Sequence, residues 1–79
     1  MGELRPFDPE HKDESRRERI SKLTPRERQV YRLLELAKAD KEIASELGIG
    51  VRTARSHVSN ILHKLGLSRR IEILAKHWP

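Results

Sequence analysis

The segment Val51–Leu65 constrains this chain most, because its apolar residues recur at a spacing that only an α-helix brings to one side. Those residues, an i, i+4, i+7, i+8, i+11 series, are Ala54, Val58, Ile61, Leu62 and Leu65. The pattern predicts a helix over the whole segment with one buried side. The rest of the chain must therefore provide helices or strands that cover that side.

Two helices are predicted before this segment. Thr24-Pro25-Arg26-Glu27 has the pattern of a capping box with proline at the first helical position, which predicts a helix from there to about Ala37. A shorter helix is predicted over Asp40–Leu47, with Asp40 as its N-cap. Gly48-Ile49-Gly50 then predicts a tight turn, with Gly48 left-handed and Gly50 capping the next helix.

A fourth helix is predicted over about residues 69–77, after Gly66 ends the third and Leu67 packs back against it. Helical spacing places four residues on its core side: Ile71, Leu74, Ala75 and Trp78. The same spacing points Ile73 away from the core. Ile73 is therefore predicted to be either a lone exposed apolar residue or part of a contact between copies.

The positive charge is confined to the C-terminal part of the chain. The 79 residues carry a net charge of +5. Basic and acidic residues balance over positions 1–50, whereas residues 51–79 have Arg52, Arg55, Lys64, Arg69, Arg70 and Lys76 against Glu72 alone. A surface that faces a polyanion has this asymmetry, although a charge cluster alone equally fits a solvated helix face.

The polar side of Val51–Leu65 separates these two interpretations. It carries basic and small polar residues and no acid, whereas an ordinary solvated helix mixes both signs. Together with the preceding helix and the glycine turn, it makes a helix-turn-helix pattern. Such a helix can enter the major groove of DNA, where Arg55 offers charge and Ser56 and Ser59 keep the face slim.

Several classes of protein are disfavoured by what the sequence lacks. It has no cysteine, so disulfides and thiolate metal sites are excluded. No apolar run approaches the roughly 20 residues that span a bilayer, and the N-terminus lacks the apolar stretch of a secretory signal. His57 and His63 lie on different helix faces and make a poor metal site. We expect a soluble cytoplasmic protein that is not an enzyme and needs no cofactor or metal.

Residues 1–22 are predicted to be a flexible charged arm or linker, and residues 23–79 the folded domain. The arm has dense mixed charge, two prolines and few large apolar side chains, which cannot offset the entropy of ordering. A brief helical turn near residues 15–20 is the most that it suggests. The chain is consistent both with a complete small regulator and with the C-terminal piece of a longer one.

The chain resembles the LuxR/FixJ-type (GerE-like) helix-turn-helix DNA-binding domain of bacterial transcription regulators. The resemblance covers about residues 23–77. It is carried by Leu23-Thr-Pro-Arg-Glu-Arg28, Lys41-Glu-Ile-Ala44, Leu47-Gly-Ile49, Thr53, His57, Ile61, Lys64-Leu-Gly66, and Arg70 with Glu72. An isolated Leu-Thr-x-Arg-Glu would be a weak signal, but this ordered series is specific.

The resemblance implies an all-α, four-helix bundle whose third helix lies in the major groove of double-stranded DNA. The expected base-contacting residues are Arg55, Ser56 and Ser59. The expected backbone-contacting residues are Lys41, Arg52, Thr53, His57, Asn60, His63 and Lys64. The fourth helix implies a homodimer on DNA, with an interface at Arg69, Arg70, Ile73, Lys76 and His77. RNA polymerase is a further expected partner.

Three positions depart from the family pattern. Ala37 stands where the family often has glycine, so the first predicted helix is expected to run longer or to turn differently. Gly50 replaces a capping serine or threonine, and Ala54 replaces a larger aliphatic residue.

Two rival functions stay open at this point. One is the promoter-reading helix-turn-helix of a sigma factor, whose opening motif and Lys41-Glu42-Ile43-Ala44 segment are similar. The other is an interaction module that pairs with a full-length regulator through its fourth helix.

Overall fold

The computed structural model describes residues 15–75. They form four α-helices and one 3-10 turn, in the order α1 (Arg16–Ile20), α2 (Pro25–Glu35), α3 (Asp40–Leu47), α4 (Val51–Leu65) and the turn Arg70–Ile73. No strand occurs within this part of the chain. The predicted all-α fold with a helix-turn-helix is confirmed. The fourth α-helix, however, is α1 rather than the one predicted at the C-terminus.

The start of α2 has the predicted capping box. The backbone N–H of Glu27 donates to the Thr24 hydroxyl at 3.1 Å, and the N–H of Thr24 donates to Glu27 Oε1 at 2.9 Å. Two of the N–H groups that a helix start leaves unpaired are thereby satisfied. This cap fixes where α2 begins, and with it the position of the Glu27 carboxylate.

The turn between α3 and α4 follows the prediction, whereas the N-cap of α3 does not. Gly48 is left-handed with φ 66°, and Gly50 is the N-cap of α4. The N-cap of α3 is Ala39 rather than Asp40, so the predicted cap is wrong by one residue. Ala39 has no side-chain acceptor, and its own N–H instead donates to Glu42 Oε1 at 2.7 Å. The Asp40 carboxylate is thereby free for contacts beyond its helix.

Helix α4 is central, because α1, α2 and α3 all pack against it. Its predicted apolar stripe is confirmed: Ala54, Ile61 and Leu65 are fully buried and Val58 is nearly so. These side chains meet a set from the other elements, namely Leu23, Val30, Tyr31, Leu34, Ile43, Ala44 and Ile73. Burying one side of α4 in this way leaves its opposite side to solvent.

Residues 15–22 were predicted to belong to a flexible arm, but they contain helix α1. Ser15 and Glu18 form a second capping box, and Ile20 packs against the core. Arg19 Nη1 donates to the backbone carbonyl of Leu65 at 2.8 Å, which places a positive charge at the negative end of the α4 dipole. The folded region therefore begins by Ser15 instead of Leu23. Residues 1–14 of the predicted arm lie outside the described residues.

The C-terminal segment differs from the predicted fourth helix. Within the described residues it is the short 3-10 turn Arg70–Ile73. The N–H groups of Ser68 and Arg69 both donate to Glu72 Oε1 at 2.7 Å and so fix the start of this turn. A 3-10 turn has three residues per turn, so its side chains take another register. Ile73 is 4% exposed and lies in the core, whereas Ile71 and Leu74, predicted to be buried, are 59% and 43% exposed. Trp78 lies outside the described residues.

Ala37 ends the first predicted helix in a way that the sequence did not suggest. Helix α2 stops at Glu35, and Ala37 adopts a left-handed backbone with φ 60°. The N–H of Lys38 then donates to the carbonyl of Leu33 at 3.0 Å, which is the bond of a glycine-type helix stop. The expectation of a longer helix or a different turn is therefore wrong. The chain keeps the tight stop with alanine at the left-handed position.

Ala37→Gly is accordingly expected to raise the free energy of unfolding by about 0.5 to 1 kcal/mol. Glycine removes the clash of Cβ in the left-handed conformation, and its greater freedom in the unfolded chain offsets only part of that gain. Urea denaturation measures the effect. Gly48→Ala is the matched control, since an added Cβ there meets nothing within 4 Å and the variant should lose about 1 kcal/mol through the backbone alone. A less stable Ala37→Gly variant would contradict the argument.

Candidate nucleic-acid interface

The solvent side of α4 displays nearly all of the residues predicted to contact DNA. Arg55, Ser56 and Ser59 are exposed, and so are four of the predicted backbone-contacting residues, namely Arg52, Thr53, Asn60 and His63. His57 and Lys64 are half-buried at the edges of this surface. Lys41 is exposed near the start of α3, the helix that packs against α4. We call the exposed side of α4 the polar face.

The polar face is basic and slim. No aspartate or glutamate occurs anywhere in α4. Ser56 and Ser59 occupy its middle, so the helix backbone can approach another surface closely there. Arg55 lies in the first half of the helix with a side chain that is 70% exposed. A convex, cationic helix with small residues at its centre has the shape and charge that the DNA major groove accepts.

Lys64 has a partner that sequence reasoning missed. Its Nζ lies 2.8 Å from Glu27 Oε1, the same oxygen that accepts the Thr24 N–H. Glu27 is buried, and burial raises its pKa. The hydrogen bond and charge of Lys64, with the hydrogen bonds to Thr24, outweigh that effect and hold the pKa below its ordinary value. The Lys64 ammonium therefore joins α4 to α2, whatever else it contacts.

Asp40 joins its own helix α3 to two further elements. Its Oδ1 accepts from Arg70 Nη1, and its Oδ2 accepts from Arg55 Nε at 3.3 Å. Burial raises the pKa of Asp40, but the hydrogen bonds and positive charges of Arg70 and Arg55 prevail and hold it below its ordinary value. The carboxylate stays ionised at neutral pH. It links the start of α3 to the polar face and to the C-terminal turn.

The predicted dimer residues are only partly available for contact. Arg69 is exposed, but Ile73 is in the core, and Arg70 is held by Asp40 and by the carbonyl of Lys38 at 2.8 Å. Lys76 and His77 lie outside the described residues. Ile73 is therefore not available for contact with another copy. The exposed large apolar side chains of the described chain are instead Leu36, Ile71 and Leu74.

Ile71 and Leu74 line one groove together with Leu34 and Ala37. We call Ile71 and Leu74 the apolar patch. It lies where α2 ends and the C-terminal turn packs on it. Sequence reasoning missed this patch because it assumed an α-helical register for the turn.

No group of three or more His, Asp or Glu side chains in residues 15–75 could hold a metal ion. None of the helices described here is both long and apolar enough to cross a bilayer.

Comparison with known proteins covers almost the same region as the described fold. Residues 21–76 match the family model described as "Bacterial regulatory proteins, luxR family". The spore germination protein GerE of Bacillus subtilis is 48% identical over 54 residues, which span 68% of this chain and 73% of GerE. No solved structure matches the chain significantly.

Two longer curated relatives match through the same part of this chain. The transcriptional regulatory protein UhpA of Salmonella typhimurium is 49% identical over 51 residues, which span 65% of this chain and 26% of UhpA. The transcriptional regulatory protein DesR of Bacillus subtilis is 44% identical over 54 residues, which span 68% of this chain and 27% of DesR. The match therefore spans about a quarter of each of these two relatives.

Proposed function

The chain belongs to the luxR family of bacterial regulatory proteins, and from that membership we propose that it binds specific sites on double-stranded DNA by placing α4 in the major groove. Family membership itself makes it a DNA-binding transcription regulator rather than an enzyme. It also favours this function over the sigma-factor alternative. Because bacterial DNA lies in the cytoplasm, the proposal places the protein there.

The observation that carries the proposal is the polar face of α4. The opposite side of the helix is fully used by the core, so this face is the part of α4 left to meet a partner. It has exposed cations, exposed small polar residues and no acid. Phosphates would attract the cations, and base edges would accept hydrogen bonds from the arginine and serine side chains.

The proposed contacts divide into two kinds. Lys41 on α3, with Arg52 and Thr53 at the start of α4, would bind the DNA backbone, with further backbone contacts from His57, Asn60, His63 and Lys64. These contacts set the position on the duplex and supply most of the affinity. Arg55, Ser56 and Ser59 would meet the base edges and supply the sequence preference.

Arg55→Ala is expected to lose about 1 to 3 kcal/mol of binding free energy on the preferred duplex and to relax the preference at one base pair. The reason is that a guanidinium donates two hydrogen bonds to one guanine, which alanine cannot replace. In vitro selection of bound duplexes gives the site, and titration of single-base variants of that site measures the preference.

Arg52→Ala is the matched control, an arginine on the same helix that we assign to the backbone. It should weaken preferred and random duplexes alike and lower the slope of log affinity against log salt by about one. If Arg55→Ala weakened both duplexes equally, Arg55 would be a backbone contact. If the wild type bound no duplex at low salt, the proposed function would be lost and an interaction module would be the better hypothesis.

We further propose that two copies bind together on paired half-sites through the apolar patch. Ile71 and Leu74 are large apolar side chains that a monomer leaves in water, and Arg69 lies close to them in the chain. Pairing would cover them. A symmetric pair would also match the symmetry of a palindromic site.

A further inference from the structure

Asp40 is an acidic residue in contact with the proposed base-contacting surface. Its carboxylate accepts Arg55 Nε at 3.3 Å, although every residue of α4 itself is free of negative charge. A carboxylate at this place would repel DNA phosphates and weaken binding to any duplex. We therefore expect the carboxylate to have another role at this position.

The two arginines that share Asp40 are held very differently. Arg70 also donates from Nη2 to the backbone carbonyl of Lys38 at 2.8 Å, so it has two anchors. Arg55 is 70% exposed, against 38% for Arg70, and its hydrogen bond to Asp40 is made through Nε. Arg70 thus fixes the carboxylate, and the carboxylate in turn orients Arg55.

The geometry of the guanidinium makes this orientation useful. With Nε occupied by Asp40, the outer N–H groups of the two terminal nitrogens of Arg55 remain for another partner and form the end of a planar fork. O6 and N7 of guanine are the acceptors that such a fork matches in the major groove. An exposed arginine without a partner would lose most of its side-chain entropy on being fixed there. One that is already oriented would lose less.

We propose that Asp40 is a specificity-determining residue, which positions the Arg55 guanidinium to read one guanine while its charge lowers the affinity for DNA in general. The inference rests on the proposed function, because it takes α4 to lie in the major groove with Arg55 at the base edges. Asp40 itself contacts no base in this arrangement. It acts through Arg55, and Arg70 acts through Asp40.

Asp40→Asn in the full chain tests the inference, because it keeps the shape of the side chain and removes its charge. Binding is measured to the duplex selected by the wild type, to the same duplex with the Arg55-dependent base pair exchanged, and to a random duplex. The random duplex should bind several-fold more tightly. Discrimination between the first two duplexes should fall by about five- to tenfold. A variant that had merely lost stability would bind all three duplexes less tightly.

Three further variants make the result specific. Glu46→Gln removes an equal charge from the same helix, where Glu46 pairs with Lys38 at 3.9 Å instead of with α4. It should leave discrimination unchanged. Arg70→Gln, which frees the carboxylate, should reduce discrimination at the same base pair as Asp40→Asn. The double variant Asp40→Asn with Arg55→Ala should discriminate no less than Arg55→Ala alone, because the two residues act as one unit.

Two outcomes would overturn the inference while leaving the proposed function intact. One is full discrimination in Asp40→Asn. The other is a loss at a base pair different from the one that depends on Arg55, which would make Asp40 a direct base contact. A wild type that bound every duplex equally would instead remove the proposed function itself, before Asp40 came into question.

Discussion

Ile73→Glu is expected to remove about half or more of the free energy of unfolding at neutral pH. Ile73 is 4% exposed within the core, so the variant loses a buried aliphatic side chain and places a charge among apolar ones. The cost is about 4 kcal/mol or more, and a folded region of this size has about 3 to 9 kcal/mol of stability in total. Far-UV circular dichroism during a urea titration measures the loss.

Ile71→Glu is the matched control, because Ile71 lies two residues away and is 59% exposed. Its stability should stay within about 0.5 kcal/mol of the wild type. If copies pair through the apolar patch, this variant should lose cooperative binding to paired half-sites while still binding a single half-site. The opposite pattern, with Ile73→Glu stable and Ile71→Glu destabilised, would restore the α-helical register predicted from the sequence. Sedimentation of the wild type as a strict one-to-one complex on paired half-sites would contradict the dimer.

The contrast between these two isoleucines shows where sequence reasoning reached its limit. Helical periodicity predicted the buried stripe of α4 correctly, because fifteen residues at 3.6 per turn give the pattern enough repeats. The C-terminal turn has only four residues, and its geometry is fixed by Glu72, which accepts the N–H groups of Ser68 and Arg69. Over so short a stretch the α-helical and 3-10 registers fit the same residues.

Helix α1 was predicted only as a brief helical turn within a flexible arm, and its packing onto the folded domain was missed for a different reason. It has five residues, most of them charged, and no apolar stripe, so the local pattern does not predict that it is part of the folded domain. Its stability comes from a contact with a residue 46 positions away, where Arg19 donates to the carbonyl of Leu65. A contact of that kind becomes visible only once α4 and its C-terminal end are in place.

In the candidate site, too, the features set by local pattern could be predicted and those set by contacts between distant residues could not. The residues of the polar face could be predicted, since they are simply what remains of α4 after the core side is assigned. The ion pairs that cross from one helix to another could not. Asp40 was predicted to be a cap and Arg70 an interface residue, and only the packing of α3, α4 and the turn brings both to Arg55.

Lys64→Ala is expected to lower the free energy of unfolding by about 2 to 3 kcal/mol, which is less than for a fully buried pair because the Lys64 side chain is 34% exposed. The variant leaves the buried Glu27 carboxylate without its cation. Thermal denaturation should show a midpoint lower by about 10 to 20 °C. The sequence had assigned Lys64 to the DNA backbone alone, which predicts no change in stability.

Lys41→Ala is the matched control for Lys64→Ala, because Lys41 is also assigned to the DNA backbone but is exposed. It therefore separates the role of a lysine in DNA binding from its role in stability. It should keep the stability of the wild type while weakening all duplexes, with a salt slope lower by about one. Equal stability of Lys64→Ala and Lys41→Ala would show that the ion pair with Glu27 contributes nothing.

The pH dependence gives an independent check on the Lys64 ion pair. The folded state lowers the pKa of Glu27, so the stability that this group contributes is present above its unfolded pKa of about 4.3 and is lost as the pH falls through the folded value. Without Lys64, burial pushes that pKa upwards, and protonation costs the variant less than it costs the wild type. The difference in stability between wild type and Lys64→Ala should therefore be constant near neutral pH and shrink as the pH falls through the raised folded pKa of the variant towards the lowered one of the wild type. A difference that did not depend on pH would assign the loss to packing of the lysine stem instead of to its charge.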